Sequence, residues 1–346
     1  MECRGPCLQS GNAPPMTGEM ESEASKPDWR RRVFLTLRIG LALALLIWVW
    51  TRLDAHQLQA LSWSAMNLRW LLLAFALGGI SVLGWAGRWW WFLRVYEVRA
   101  RYPELLRLTL FADFFNLYFL GPIGADGIRL LLLSRRFPER RGAILGSLLL
   151  DHVGGFFGGM LLYLFFAKHS GLSEGVLKAA DLSLWFFGLA TFLGLGVIME
   201  PPIQRLFQHI PGLRWISQRA ASIYAGTFRH PWLFSGFAIS TLGTACAYAA
   251  YWAAAHALGA HVSLPQMLGL MPVVDLIASL PVTISGIGVR EGLLVEWLGH
   301  QPHWDAAHAL AVSLLGFAAL GLWGLIGGVW LAFWKKKDAM PSKSFS

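Results

Sequence analysis

The chain has 346 residues, of which 55% are hydrophobic and 14% charged, with 18 Trp, 22 Phe and a formal net charge of +9. That balance lies far from soluble globular proteins and towards integral membrane proteins. It excludes a transmembrane β-barrel, because the apolar runs are long and unbroken rather than alternating, and the Lys and Arg residues flank those runs instead of forming a nucleic-acid surface.

Residues 1–32 are polar and rich in Pro, Gly and Ser, with no apolar stretch ahead of Arg30, Arg31 and Arg32, and read as a disordered cytoplasmic tail. Cys3 and Cys7 lie in this tail and Cys246 in an apolar stretch, which gives neither a metal-ligand set nor a disulfide framework, and no cofactor is expected. A bilayer core of about 30 Å needs about 20 apolar residues per helix. Six stretches qualify: Val33–Trp50, Leu68–Gly87, Gly142–Ala167, Leu182–Met199, Trp232–Leu258 and Ala306–Trp334. Arg88 and Arg94 flank Trp89, Trp90 and Trp91 and are expected to anchor the second span at the membrane interface.

Two further apolar stretches, 103–137 and 265–299, are interrupted by Gly and Pro. The breaks fall at Gly121-Pro122-Ile123-Gly124 and from Pro281 through Gly286-Ile287-Gly288. The arm after each break reaches only roughly 15 to 20 Å at the helical rise, too short to cross comfortably, which predicts two re-entrant helical hairpins. If both hairpins return to their side of entry, 23 of the 29 Lys and Arg fall on one face, which satisfies the positive-inside rule with both termini cytoplasmic. The expected architecture is therefore an all-α polytopic membrane protein with six transmembrane helices and two re-entrant hairpins, in repeats spanning 33–168 and 182–334, followed by a cytoplasmic tail at 335–346. Three crossings per repeat invert the second copy relative to the first. A shift of 162 residues superimposes Pro103 on Pro265, Leu106 on Leu268, Leu108 on Leu270, Asp113 on Asp275 and Gly124 on Gly286. Residues 202–224, between the repeats, carry apolar residues at helical spacing with Arg205, Arg214 and Arg219 opposite, and predict a helix lying on the cytoplasmic leaflet.

Ionisable groups inside such stretches cost roughly 2.5 to 3.5 kcal/mol each at the helix centre and mark function. In the first hairpin, Asp113 and Asn116 share a helix face, and Asp126 and Arg129 stand three apart beyond the break, where Gly124 and Gly127 allow close backbone approach. The free N–H groups of that arm and Arg129 suit a phosphate, while the bland alternative has Asp126 capping the arm and pairing with Arg129. The second hairpin repeats the design with Asp275, Gly286, Gly288, Arg290 and Glu291, or else these form a turn with a local ion pair. Asp151 and His152 sit within a span ahead of Gly154, Gly155, Gly158 and Gly159, which suits proton relay or headgroup contact, or a hydrogen bond to an adjacent helix.

Phe115-Asn116, the run Gly121 to Arg129, the Asp151-His152 pair and the run Ser285 to Glu291 resemble the transmembrane region of the lysylphosphatidylglycerol synthase family, a flippase-like domain. The likeness covers most of 33–334. His152 departs from it, since the family more often carries Arg after the acid, and the sequence ending at Ser346 leaves no room for the family's soluble aminoacyl-transferase domain. The resemblance implies lipid handling without lipid synthesis. The expected function is a translocase in the bacterial inner membrane that moves a phosphate-bearing lipid between leaflets, with membrane lipids as its partners and no nucleic acid. Arg129 and Arg290 would hold the phosphate and Asn116 the headgroup; Asp113, Asp126, Asp151, His152, Asp275 and Glu291 would supply countercharge or proton coupling. Alternatives are a membrane-embedded transferase or phosphatase using Asp151 and His152 as acid and base, or an ion-coupled carrier of a soluble anion. Lipid identity and oligomeric state are not encoded legibly.

Overall fold

The computed structural model describes residues 66–116, 121–199, 231–260, 262–279, 286–298 and 305–332. The expected first span Val33–Trp50, both tails and the surface helix at 202–224 lie outside the described residues. Within them the chain forms nine α-helices and no strand: α1 (Leu68–Val95), α2 (Tyr102–Phe115), α3 (Gly121–Arg136), α4 (Arg141–Phe166), α5 (Glu174–Met199), α6 (Pro231–Ala257), α7 (Leu264–Ala278), α8 (Val289–Leu298) and α9 (Ala306–Ala332). Four segments are long and apolar enough to cross a membrane: Leu68–Val95, Pro138–His169, Pro231–Ala257 and Ala306–Trp330. α5 starts a full two turns before the expected Leu182, because Glu174, Lys178 and Asp181 continue the helix although they are polar.

Capping explains where several helices begin and end. The Asn67 side chain accepts from the Arg69 N–H to start α1, and Ser263 accepts from the Gln266 N–H to start α7, with Pro265 in its first turn. α1 closes with Glu97 in the left-handed region at φ 58°. The Val98 N–H then bonds the Leu93 carbonyl and the Glu97 N–H that of Arg94, which is the Schellman arrangement. α6 closes the same way, with Gly259 at φ 76°, the Ala260 N–H on Ala255 and the Gly259 N–H on His256. Glu97 and Gly259 are 162 residues apart, as are Arg101 and Ser263, the residues that precede α2 and α7.

Packing follows the same register. α1 and α6 make the most extensive helix pair, and each short first arm packs on the other half: α2 on α9 and α7 on α4. The α1–α6 crossing needs small residues, since a Cβ placed on Gly84 would stand 3.0 Å from the Gly243 Cα. One buried core gathers Trp89, Phe92, Leu93, Leu105 and Ile144 around α1 to α4. The other gathers Tyr251, Met267, Leu270, Met271 and Leu294 around α6 to α9. Large apolar side chains such as Leu72, Phe165, Phe186, Phe234 and Val329 point outwards, as a hydrocarbon surround requires.

Candidate functional site

Helices α2 and α3 and their neighbours α1 and α4 enclose a cluster of charge. Asp151 lies in the middle of α4, where Gly154 and Gly155 clear a groove for a long side chain; a Cβ on Gly155 would come within 3.1 Å of Arg88 Nη1. Arg88 of α1 fills that groove. Its Nε donates to Asp151 Oδ1 at 2.6 Å and its Nη1 to Ser240 Oγ of α6 at 3.1 Å. Ser240 in turn donates to the Gly154 carbonyl at 2.5 Å, so α1, α4 and α6 are tied at one point. Arg88 is thus not the interfacial anchor expected from its Trp neighbours: its side chain is only 10% exposed. Six residues separate it from Arg94, which turns the two onto helix faces about 120° apart. Arg94 does lie among the aromatic rings, 3.9 Å from the centroid of Trp90 and within 5.9 Å of that of Trp232.

Arg129 of α3 stands among three carboxylates. It is 3.5 Å from Asp113 of α2, 3.7 Å from Asp126 one turn back and 3.6 Å from the second oxygen of Asp151. Its guanidinium also lies 5.5 Å from the Trp89 ring. The other oxygen of Asp126 meets His152 Nε2 at the outer end of the cluster. None of the three Arg129 pairs has the length of a close charge-assisted hydrogen bond. Among the described residues Arg129 Nε and Asp113 Oδ2 are both buried without a hydrogen-bond partner, a donor and an acceptor left over in a site where such groups are costly. A Cβ on Gly127 would meet nothing within 4 Å among the described residues, so α3 is open at that position.

Two readings of the first hairpin change. α3 begins at Gly121, with Pro122 in its first turn, so the Gly-Pro run starts the arm rather than preceding it. Asp126 therefore sits in the second turn and does not cap the helix, and Gly124 lies in the first turn. Asn116 closes α2 one turn beyond Asp113; residues 117–120 lie outside the described ones.

Helices α7 and α8 build a different cluster. Gly286 and Gly288 take φ of 73° and 86°, and a Cβ on Gly286 would stand 2.8 Å from that of Ala278, so this turn needs glycine. Glu291, buried at 3% exposure, accepts from the Gly288 N–H at 2.6 Å and from the Ser313 hydroxyl of α9 at 3.2 Å. That is the reach-back half of a capping box, and it occupies both carboxylate oxygens. Arg290 beside it lies over the Phe317 ring at 5.0 Å, near Asp275, Tyr248 and Tyr251. Asp275 of α7 lies beside Tyr248 of α6. Arg290 Nε and Nη1 are buried with no hydrogen-bond partner among the described residues.

The structure thus brings Asp113, Asp126, Arg129, Asp151 and His152 into one cluster, with Asn116 a turn away, and Asp275, Arg290 and Glu291 into another. The charged neighbours of Asp113 are Arg129, Asp151, Arg88 and Asp126, whereas Asp275 has Arg290 and Tyr248. The two clusters are separate. Ser240, Tyr248 and Ser313 carry no signal in the sequence, and Arg88 and Trp89 read there only as interfacial. For Arg88 a signal existed: the apolar run continues past it to Val95, which puts it two turns inside a helix.

Long apolar helices that bury five formal charges at one junction define an α-helical membrane protein whose polar machinery lies between its helices. The chain belongs to the family described as lysylphosphatidylglycerol synthase TM region, which matches residues 35–328. No curated protein matches it.

Proposed function

We propose that the chain is a translocase that carries a phosphate-bearing lipid between the leaflets of the bacterial inner membrane. The observation that carries this reading is the occurrence of two polar clusters among apolar helices, each built on a hairpin arm and each holding an arginine with unused, buried donors. A phosphate would satisfy Arg129 Nε in one and Arg290 Nε and Nη1 in the other. Asn116, Gly124 and Asp126 would contact the same headgroup in the first cluster, and Gly286 and Gly288 its counterpart in the second; Asp113 and Asp275 would balance charge. Membership of a lipid-handling family supports the lipid as cargo.

The basic residues at the α3–α4 turn, Arg135, Arg136, Arg140 and Arg141, favour a cytoplasmic position for that end, with both termini on the same side. α4 then descends from the cytoplasm and places Asp151 about 15 Å along its axis, while α9 descends from the opposite face and places Ser313 about 10 Å along. On this orientation the repeats 33–168 and 182–334 are inverted, both hairpins are re-entrant, and each leaflet has one cluster. A headgroup would pass from one arginine to the other as the arms move on their partner helices.

Reconstitution into liposomes with fluorescent phospholipids of several headgroups tests the reading. Leaflet redistribution is expected for the wild type and lost in Arg129→Ala with Arg290→Ala; equal redistribution in both rejects the phosphate role. A lipid of new mass would instead indicate a transferase or phosphatase.

A further inference from the structure

The first cluster has an uneven charge count. Arg88 and Arg129 face three carboxylates, Asp113, Asp126 and Asp151, which leaves one negative charge in excess when the imidazole of His152 is neutral. His152 is the one group of the cluster whose unperturbed titration falls near neutral pH. It is also the most accessible, with 59% of its side chain exposed against 23% for Asp126 and 6% for Asp151. Protonated, it makes the cluster neutral, with the charge held between His152 Nε2 and Asp126 Oδ2.

The groups around His152 are few. α3 presents Asp126 and Arg129, α1 presents Arg88, α2 presents Asp113, and α4 itself presents Asp151. α6 contributes the uncharged Ser240. Asp181 of α5 interacts with Tyr163, three turns along α4, and Asp275 of α7 belongs to the second cluster.

We infer that the first cluster binds a proton together with its anionic cargo, with His152 on Asp126 as the proton site. The inference rests on the proposed lipid-phosphate reading. A phosphate that engages Arg129 draws it from Asp113 and Asp126, and without a proton the junction would then hold two excess negative charges. Burying them in a helix bundle is unfavourable. A proton taken from water onto the imidazole removes one of them and gives Asp126 a cation in place of Arg129. Phosphate and proton therefore bind more tightly together than either does alone, and the effect is reciprocal. The cargo would cross with a proton, which makes the transmembrane proton gradient an energy source for one direction of transport.

Calorimetric titration of the full-length protein in detergent with dioctanoyl phosphatidylglycerol, run in buffers of different ionisation enthalpy between pH 5.5 and 8.5, tests the linkage. About one proton taken up per lipid bound is expected near neutral pH, with affinity falling by up to about tenfold per pH unit above it. His152→Gln, at a largely exposed position, is expected to bind with no proton uptake and no pH slope. Binding without proton uptake in the wild type, or uptake undiminished in His152→Gln, overturns the coupling and leaves the translocase reading standing. Absence of binding at every pH overturns both.

Discussion

Removing the Arg88 charge should destabilise the helix junction more than any surface change. Arg88→Met keeps the aliphatic length of the side chain over Gly154 and Gly155 but deletes the donor that lies 2.6 Å from Asp151. At an effective dielectric constant of about 20 that contact corresponds to roughly 6 kcal/mol of attraction, and the remaining one from Arg129 at 3.6 Å to roughly 5 kcal/mol. Because Asp151 keeps this second partner, the loss should fall at the lower end of the 3–5 kcal/mol typical for breaking a buried pair, about 3 kcal/mol. Asp151→Leu should cost about as much, since it strands Arg88 with only the Ser240 hydroxyl. Combining the two removes both charges, and the double variant should lie within about 2 kcal/mol of the wild type. Unfolding by SDS in mixed micelles, followed by circular dichroism, gives the double-mutant cycle. A double variant that loses the full sum of the singles would refute the pairing as a source of stability.

Gly84→Val should destabilise the α1–α6 crossing by about 1–3 kcal/mol in the same unfolding assay, because even its Cβ would stand 3.0 Å from the Gly243 Cα and only backbone movement relieves the contact. Gly286→Ala should cost about 2 kcal/mol or more, combining left-handed strain at φ 73° with the contact to Ala278. At Gly127, where a Cβ meets nothing within 4 Å, alanine should leave stability unchanged or raise it by up to about 1 kcal/mol; Gly127→Phe should fold yet slow lipid redistribution if the headgroup approaches there. Arg290→Gln should abolish redistribution in liposomes at small cost in stability. Glu291→Ala should cost about 2–3 kcal/mol in unfolding, by stranding the Gly288 N–H and the Ser313 hydroxyl.

Much of this fold was legible because the bilayer imposes a simple rule on length and polarity. α1, α4, α6 and α9 follow from apolar runs alone, and Pro103 and Pro265 mark the first turns of α2 and α7. Clustering of Asp113, Asp126, Arg129 and Asp151 was foreseeable in kind, since buried charges must find opposite charges. What spacing could not reveal was partnership across the bundle: Arg88 and Asp151 are 63 residues apart and Arg88 and Ser240 are 152 apart. Local context also misled. The Trp triplet made Arg88 look interfacial although its helix continues for two more turns, and spacing did not show that the carboxylate of Glu291, expected as countercharge, also accepts from the Gly288 N–H and Ser313. Gly121-Pro122 read as a break because proline disrupts helix interiors, yet in a first turn the same residue is compatible with helix.

The shared register of 162 makes the differences between the halves informative. Asp113 and Asp275 correspond, as do Trp89 and Tyr251, the rings beside Arg129 and Arg290. The position matching Asp151 is Ser313, and the one matching Arg88 is Ala250. One half therefore surrounds its arginine with three acids and a second arginine, while the other gives its arginine Asp275 and aromatic and hydroxyl neighbours, and Glu291, at the position matching Arg129, serves as a cap. Around Arg129 an incoming phosphate meets three carboxylates and one unengaged donor, Nε, whereas Arg290 offers two unengaged donors and no carboxylate within ion-pair distance among the described residues. On the translocase reading the two stations then differ in kind: the first exchanges ion pairs on loading and is sensitive to salt and protons, and the second captures its anion with little rearrangement. Short-chain phosphatidylglycerol binding measured for Arg290→Gln, which leaves only the first station, should accordingly fall with pH more steeply than for Arg129→Gln, which leaves only the second. Equal slopes in the two variants would mean that the asymmetry of charge has no functional counterpart.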